Sequence, residues 1–224
     1  LELKCVPKIT QKKAQIMLKN IGDVFRNALS RDGIDKRTIT RFTTKFRDAG
    51  RRSAPWKPTS SRVPGRPQDG KDGNRINRWL LPKDHKFYAS EENACFVEAK
   101  YMLQTLSMKS APKLLNEELF ALEPLQDNLV EHLIRPGEYL DPIMLETIDF
   151  QEVKNDLREI QSGHLNPLDR GGIHIYKNTF LMRYRSNQLQ GNLKVSELIQ
   201  LLETVVNRHS HSGGLLSKRI VNQD

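Results

Sequence analysis

A chain of 224 residues with two cysteines and no run of about 18 apolar residues excludes a disulfide-framed mini-domain and a membrane-spanning helix. Only 37% of the residues are hydrophobic, low for a compact globule of this length, so part of the chain is expected to be extended or to depend on a partner. The net charge of +9 is unevenly placed: residues 1–90 hold 22 Lys/Arg against 8 Asp/Glu, residues 91–169 hold 6 against 16, and residues 170–224 hold 8 against 3. A basic part suits a polyanion, because each cation that meets a phosphate releases counterions. The acidic middle is repelled by the same polyanion and is expected to face solvent or protein.

Residues 10–30 carry Ala14, Met17, Leu18, Ile21, Val24, Phe25, Ala28 and Leu29 at the spacing of one helical face. Arg31-Asp32-Gly33 is a turn signal. A second helix is expected from Asp35 to Gly50, with Ile39, Phe42, Phe46 and Ala49 as its apolar stripe and Arg37, Arg41, Lys45 and Arg47 on its other faces. Residues 50–79 lose all periodicity. Five of them are apolar, four are Pro, four are Gly, and eight cations stand against two Asp. Such a stretch cannot bury enough surface to fold alone. Because Trp56 and Trp79 both lie in it, an extended arm that docks on a partner is expected over 51–89.

Beyond Ser90 a helical body is expected over 90–210. Ser90 with Glu91 and Glu92 makes a helix start. Residues 113–134 read as two short helices broken at Pro124, and Asp141-Pro142 as an N-cap and first helical position. Asp149 with Glu152 starts a helix to about Gln161. Residues 172–186 alternate and are rich in β-branched and aromatic types around Lys177-Asn178, which predicts a β-hairpin with Ile173 and Ile175 on one face and His174 and Tyr176 on the other. A last helix over 194–208 has Val195, Leu198, Ile199, Leu202, Val205 and Val206 inward, and 211–224 reads as a loose tail. The fold class is therefore mainly α (α+β): a helical body with one small hairpin and a long basic arm.

Chemistry is sparse at this level. Gly65, Gly70 and Lys71 match most of a phosphate-binding loop, but the stretch before them is a poor strand. Pro67 removes a backbone donor, and Asp72 stands where a metal-binding hydroxyl belongs. His209 and His211 have no Cys pair or second His motif beside them, so no metal or other cofactor is expected. Neither cysteine has a nucleophile's context, and G-x-S-x-G is absent. The acidic residues of 117–159 fall on helical polar faces. No enzyme is expected.

Residues 28–52 resemble DNA-binding regions of transposase type: a helix, a glycine turn and a basic second helix. Pro64-Gly65-Arg66-Pro67 resembles the core of an AT-hook, a minor-groove arm. A DNA-binding protein using residues 10–50 is therefore one reading. The other, favoured by composition, is a non-enzymatic RNA-binding component of a large ribonucleoprotein, in the style of ribosomal proteins. Its arm would lie on RNA, most plausibly rRNA, and its acidic body on neighbouring proteins. The residues expected to meet RNA are Arg37, Arg41, Lys45, Arg47, Arg51, Arg52, Trp56, Lys57, Arg62, Arg66, Lys71, Arg75, Arg78 and Trp79, with the tryptophans stacking on bases. A chain that opens on Leu1 rather than Met fits removal of a presequence or truncation upstream, so a mitochondrial ribosome and the matrix are the expected setting.

Overall fold

The computed structural model describes residues 11–53 and 75–211. Seven α-helices and two small antiparallel sheets are present among them, in keeping with the mainly α (α+β) class. Helix α1 spans Gln11–Arg31 and α2 spans Lys36–Gly50. Asp35 caps α2 by accepting from the backbone N–H groups of Arg37 at 2.9 Å and Thr38 at 3.0 Å. Both helices lay their apolar stripes against α3, Glu91–Leu106. Phe25, Phe42, Phe46, Tyr101 and Phe150 form one aromatic cluster, with ring centroids 5.6–6.2 Å apart. The α1–turn–α2 pair is thus built into the main core and is not a separate helix-turn-helix unit.

Helix α3 is the central strut, buried along Ala94–Leu106. A helix buried on all sides must satisfy its polar side chains internally, and each bond made this way fixes a neighbour. Glu98 pairs with Arg51 at the end of α2. Lys100 donates to the Tyr176 carbonyl at 2.8 Å, and its ammonium lies 3.6 Å from the centroid of the Phe180 ring. Tyr101 bonds Ser162, and Gln104 Oε1 accepts from the Leu181 N–H at 3.0 Å. The end of α2 comes so close to α3 that a Cβ on Gly50 would stand 2.8–2.9 Å from the backbone of Glu98. Only glycine fits there.

Strand β1, Arg52–Ser53, pairs antiparallel with β2, Ile76–Asn77, so the start of the expected 51–89 arm is joined to a point within it. A 3-10 turn, Arg78–Leu80, follows. Helix α4, Asn116–Leu129, runs through Pro124 without the predicted break; proline removes one backbone bond, and the helix continues past it. Asp141 caps only a single turn, accepting from Ile143 and Met144, while its other oxygen accepts from the N–H of Arg183. Helix α5, Phe150–Asn155, ends before the expected Gln161, because Asp156 caps a new 3-10 turn at Leu157–Glu159.

The predicted hairpin over 172–186 is corrected. Strand β4, Thr179–Arg183, pairs with β3, Ile160–His164, in the register Ile160–Arg183 to His164–Thr179. Residues 165–178 form a long loop between them. Residues 173–178 alternate like a strand, but side-chain bonds hold them as a turn. Asn178 accepts from Asn166 N at 2.8 Å and donates to the carbonyls of Asn166 and Ile173. Ile173 is consequently 61% exposed and His174 is buried. Helix α6, Tyr184–Gln190, follows β4 directly. In α7, Val195–His211, only Leu198 of the expected inward face is buried; Ile199, Leu202, Val205 and Val206 are exposed among the described residues. No described helix is long and apolar enough to cross a membrane.

Candidate active site

A cleft of about 700 Å³ opens where the end of α2, the segment 75–87, strand β3 with its loop, and α6 meet. Its charged lining comprises four cations, Arg52, Arg75, Arg78 and Lys86, against two carboxylates, Asp48 and Asp169. His85, His164 and Asn187 complete the polar wall. A cleft of this balance suits an anionic group.

His164 ends β3, and its position is set three ways. Its carbonyl accepts from Gln190 Nε2 of α6 at 2.7 Å. Its strand is tied to α3 through Ser162 and Tyr101. Its ring Nε2 lies 3.0 Å from His174 Nδ1, and His174 Nε2 lies 2.8 Å from the Gly50 carbonyl oxygen. These contacts determine the protons. A carbonyl only accepts, so His174 carries its proton on Nε2. Burial, helped by Arg78 and His164, holds His174 well below its ordinary pKa, so it is neutral and its Nδ1 accepts. His164 must then donate from Nε2, which leaves the lone pair on Nδ1. Burial, with Arg78 adding to it, lowers His164 to about 4. It is neutral at pH 7 and able to take a proton.

The sequence builds this relay locally. Gly172 lets the loop fold back, since a Cβ there would stand 2.0 Å from the Asn166 carbonyl oxygen. Asn178 closes the loop, and Lys100 anchors it at Tyr176. His85 is fixed differently. The Phe87 N–H donates to its Nδ1 at 3.1 Å, which fixes the orientation of the ring. Lys86 meets Asp169 at 2.6 Å, bridging the 82–88 segment and the 165–172 loop. Asn187 donates from Nδ2 to Gln161 at 2.7 Å, which orients its amide and keeps Oδ1 as an oxygen donor. Among the described residues no three His, Cys, Asp or Glu side chains gather as a metal cluster. A Mg²⁺ ion needs only one or two protein oxygens beside waters and a substrate phosphate. The Asp169 carboxylate in the cleft wall is paired with Lys86.

The cations expected to meet RNA separate into groups. Arg52 and Arg75 line the cleft beside Asp48, at 3.8 and 3.9 Å. Arg78 is buried and donates to the carbonyls of Ala49, Gly50 and Phe87 at 3.0–3.1 Å, so it acts as a strut under the site. Burial draws it down to about 10, and it remains charged at neutral pH. Arg51 is held by Glu98, and Arg47 lies 3.6 Å from Asp48. Arg37, Arg41 and Lys45 line a second groove on α2. Trp79 is half-buried in the 3-10 turn. Trp56, Lys57, Arg62, Arg66 and Lys71, and with them the phosphate-loop match, lie outside the described residues. No short-spaced metal or nucleophile pattern marks these histidines in the sequence. The available signal was Gly163-His164 followed ten residues later by His174, with Asn-Pro and Gly-Gly turns between.

Neither a family model nor a curated protein matches the sequence. Among solved structures, one described as the crystal structure of a type II restriction endonuclease superposes with a TM-score of 0.56 over 78% of each chain, at 14% identity. That likeness is one of fold. It overturns the expectation of a non-enzymatic ribosomal subunit: the body has the fold of a protein described as a nuclease. The ribosomal expectation rests on charge balance and on the absence of a short catalytic motif, neither of which reports tertiary contacts such as those joining His164, His174 and Gly50.

Proposed function

We propose that the protein is a nuclease that hydrolyses phosphodiester bonds of DNA in the cleft, with His164 as general base. The observation that carries this reading is the relay that fixes His164 as the neutral tautomer with its Nδ1 lone pair unprotonated. The setting in a cationic cleft and the fold likeness to a type II restriction endonuclease support it.

In this mechanism a water oxygen attacks phosphorus while His164 Nδ1 takes its proton. The bond from phosphorus to the leaving sugar oxygen then breaks. That oxygen takes its proton from solvent water. Arg52, Arg75 and Lys86 face the phosphoryl oxygens, where charge develops. A phosphodiester anion beside His164 favours its protonated form, so substrate binding raises a base that is weak in the free protein toward the working pH.

The test is cleavage of linear duplex DNA, with Mg²⁺ supplied, by the wild type and by His164→Ala. The wild type is expected to cut, and the variant to be slower by roughly 10²–10⁴, the range of a general base. Equal rates, or a wild type that cuts no DNA, would refute the reading.

A further inference from the structure

We infer that the exposed cationic face of α2 is a second phosphate-binding site, a track that holds the backbone of the same DNA several nucleotides from the bond being cut. This rests on the nuclease reading above. Arg37, Arg41, Thr44 and Asp48 recur at 3–4-residue intervals, so they share one face of α2, opposite the buried Ile39, Phe42 and Phe46. Asp48 and Ala49 already line the active cleft. The other end of the same face lines a separate groove of about 750 Å³ with Lys36, Arg37, Arg41 and Lys45.

No carboxylate lines that groove, and its apolar contribution is Leu157. The acids next to the lining in sequence are committed elsewhere: Asp35 caps α2, and Asp156 is bonded to the Arg158 side chain at 2.6 Å. Arg37 and Arg41 are exposed and make no ion pair among the described residues. Burial lowers the pKa of Lys45 and the Asp156 charge opposes this, so a further anion in the groove would favour its charged form. Cations that make no close ion pair among the described residues, on a rigid helix, are prepared for an external anion.

The spacing is compatible with a repeating anion. At 1.5 Å per residue, Arg41 lies about 10 Å and Arg37 about 16 Å along the helix from Asp48. One DNA strand advances about 3.4 Å per nucleotide, so these distances correspond to roughly three to five nucleotides. Contacts of this kind position a duplex without reading its sequence.

The experiment measures duplex binding against salt concentration for the wild type, Arg37→Ala/Arg41→Ala and Arg37→Lys/Arg41→Lys. Two lost phosphate contacts are expected to reduce the slope of log K against log salt by about 1.8, and to weaken binding on the order of tenfold near physiological salt. The lysine pair is expected to restore most of the slope. An alanine variant with wild-type slope overturns the track. A fall in binding to phosphatidylserine vesicles with DNA binding unchanged overturns it in favour of a lipid surface. A reduced slope in a protein that cuts no DNA keeps the track and removes only the nuclease reading.

Discussion

Replacing His174 by Ala separates positioning from folding. His174 is 1% exposed and joins His164 to the carbonyl of Gly50. The substitution removes two hydrogen bonds and opens a cavity. The Gly50 oxygen keeps a partner, because Arg78 Nε donates to it at 3.1 Å. The unpaired group is therefore the His164 Nε2–H alone. One unsatisfied donor costs about 1–3 kcal/mol, and the cavity adds to this, so a loss of about 2–4 kcal/mol is expected in urea unfolding. The catalytic effect is separate. Without His174 the ring of His164 is free to rotate and to exchange tautomers. A fall in kcat of roughly 10²–10⁴ at little-changed KM is expected by comparison with orienting residues in other relays. Nitrogen and carbon NMR shifts of His164 are expected to report the Nε2–H tautomer in the wild type and a mixture in the variant. A variant that loses stability but keeps its kcat, or a wild type with the proton on Nδ1, would show the reasoning to be wrong.

The depressed histidines also predict a pH response. Between about 4 and 6.5 the unfolded chain binds protons that folded His164 refuses. Stability from this source is therefore full above pH 6.5 and is lost as pH falls toward 4, by about 3 kcal/mol for His164. Thermal melts from pH 7 to 4.5 are expected to show this, with a shallower decline in His174→Ala, and a flat profile contradicts it. The acidic limb of kcat/KM, which reports the free enzyme, is expected well below 6.5. Gly50→Ala, which forces a Cβ against the backbone of Glu98, is expected to cost more than about 2 kcal/mol and to lower activity by moving the carbonyl that His174 uses. Wild-type stability and rate in that variant would count against the close packing of α2 on α3.

Much of the helical frame was legible in the sequence because its determinants are local. The stripes of α1 and α2 and the caps Asp35, Ser90 and Asp149 lie where periodicity and side-chain chemistry place them. The site was not legible, for a physical reason. Its walls come from residues 48–53, 75–87, 162–169 and 187–192, brought together by an α3 whose polar residues look like ordinary surface positions until they are buried. Strand β3, Ile160–His164, has no β-branched alternation and forms because β4 and Tyr101 hold it. The basic arm drew attention to Arg78, whose guanidinium is held by backbone carbonyls, and away from three histidines whose meaning depends on contacts distant in sequence.

Chemical rescue tests the central claim most directly. His164→Gly removes the base and leaves room for a free imidazole in the cleft. Duplex DNA cleavage by this variant is expected to be lost, and to return in proportion to the concentration of neutral imidazole added. A variant that cuts DNA at the wild-type rate without imidazole, or one that imidazole cannot revive while the wild type is active, would contradict His164 as the base.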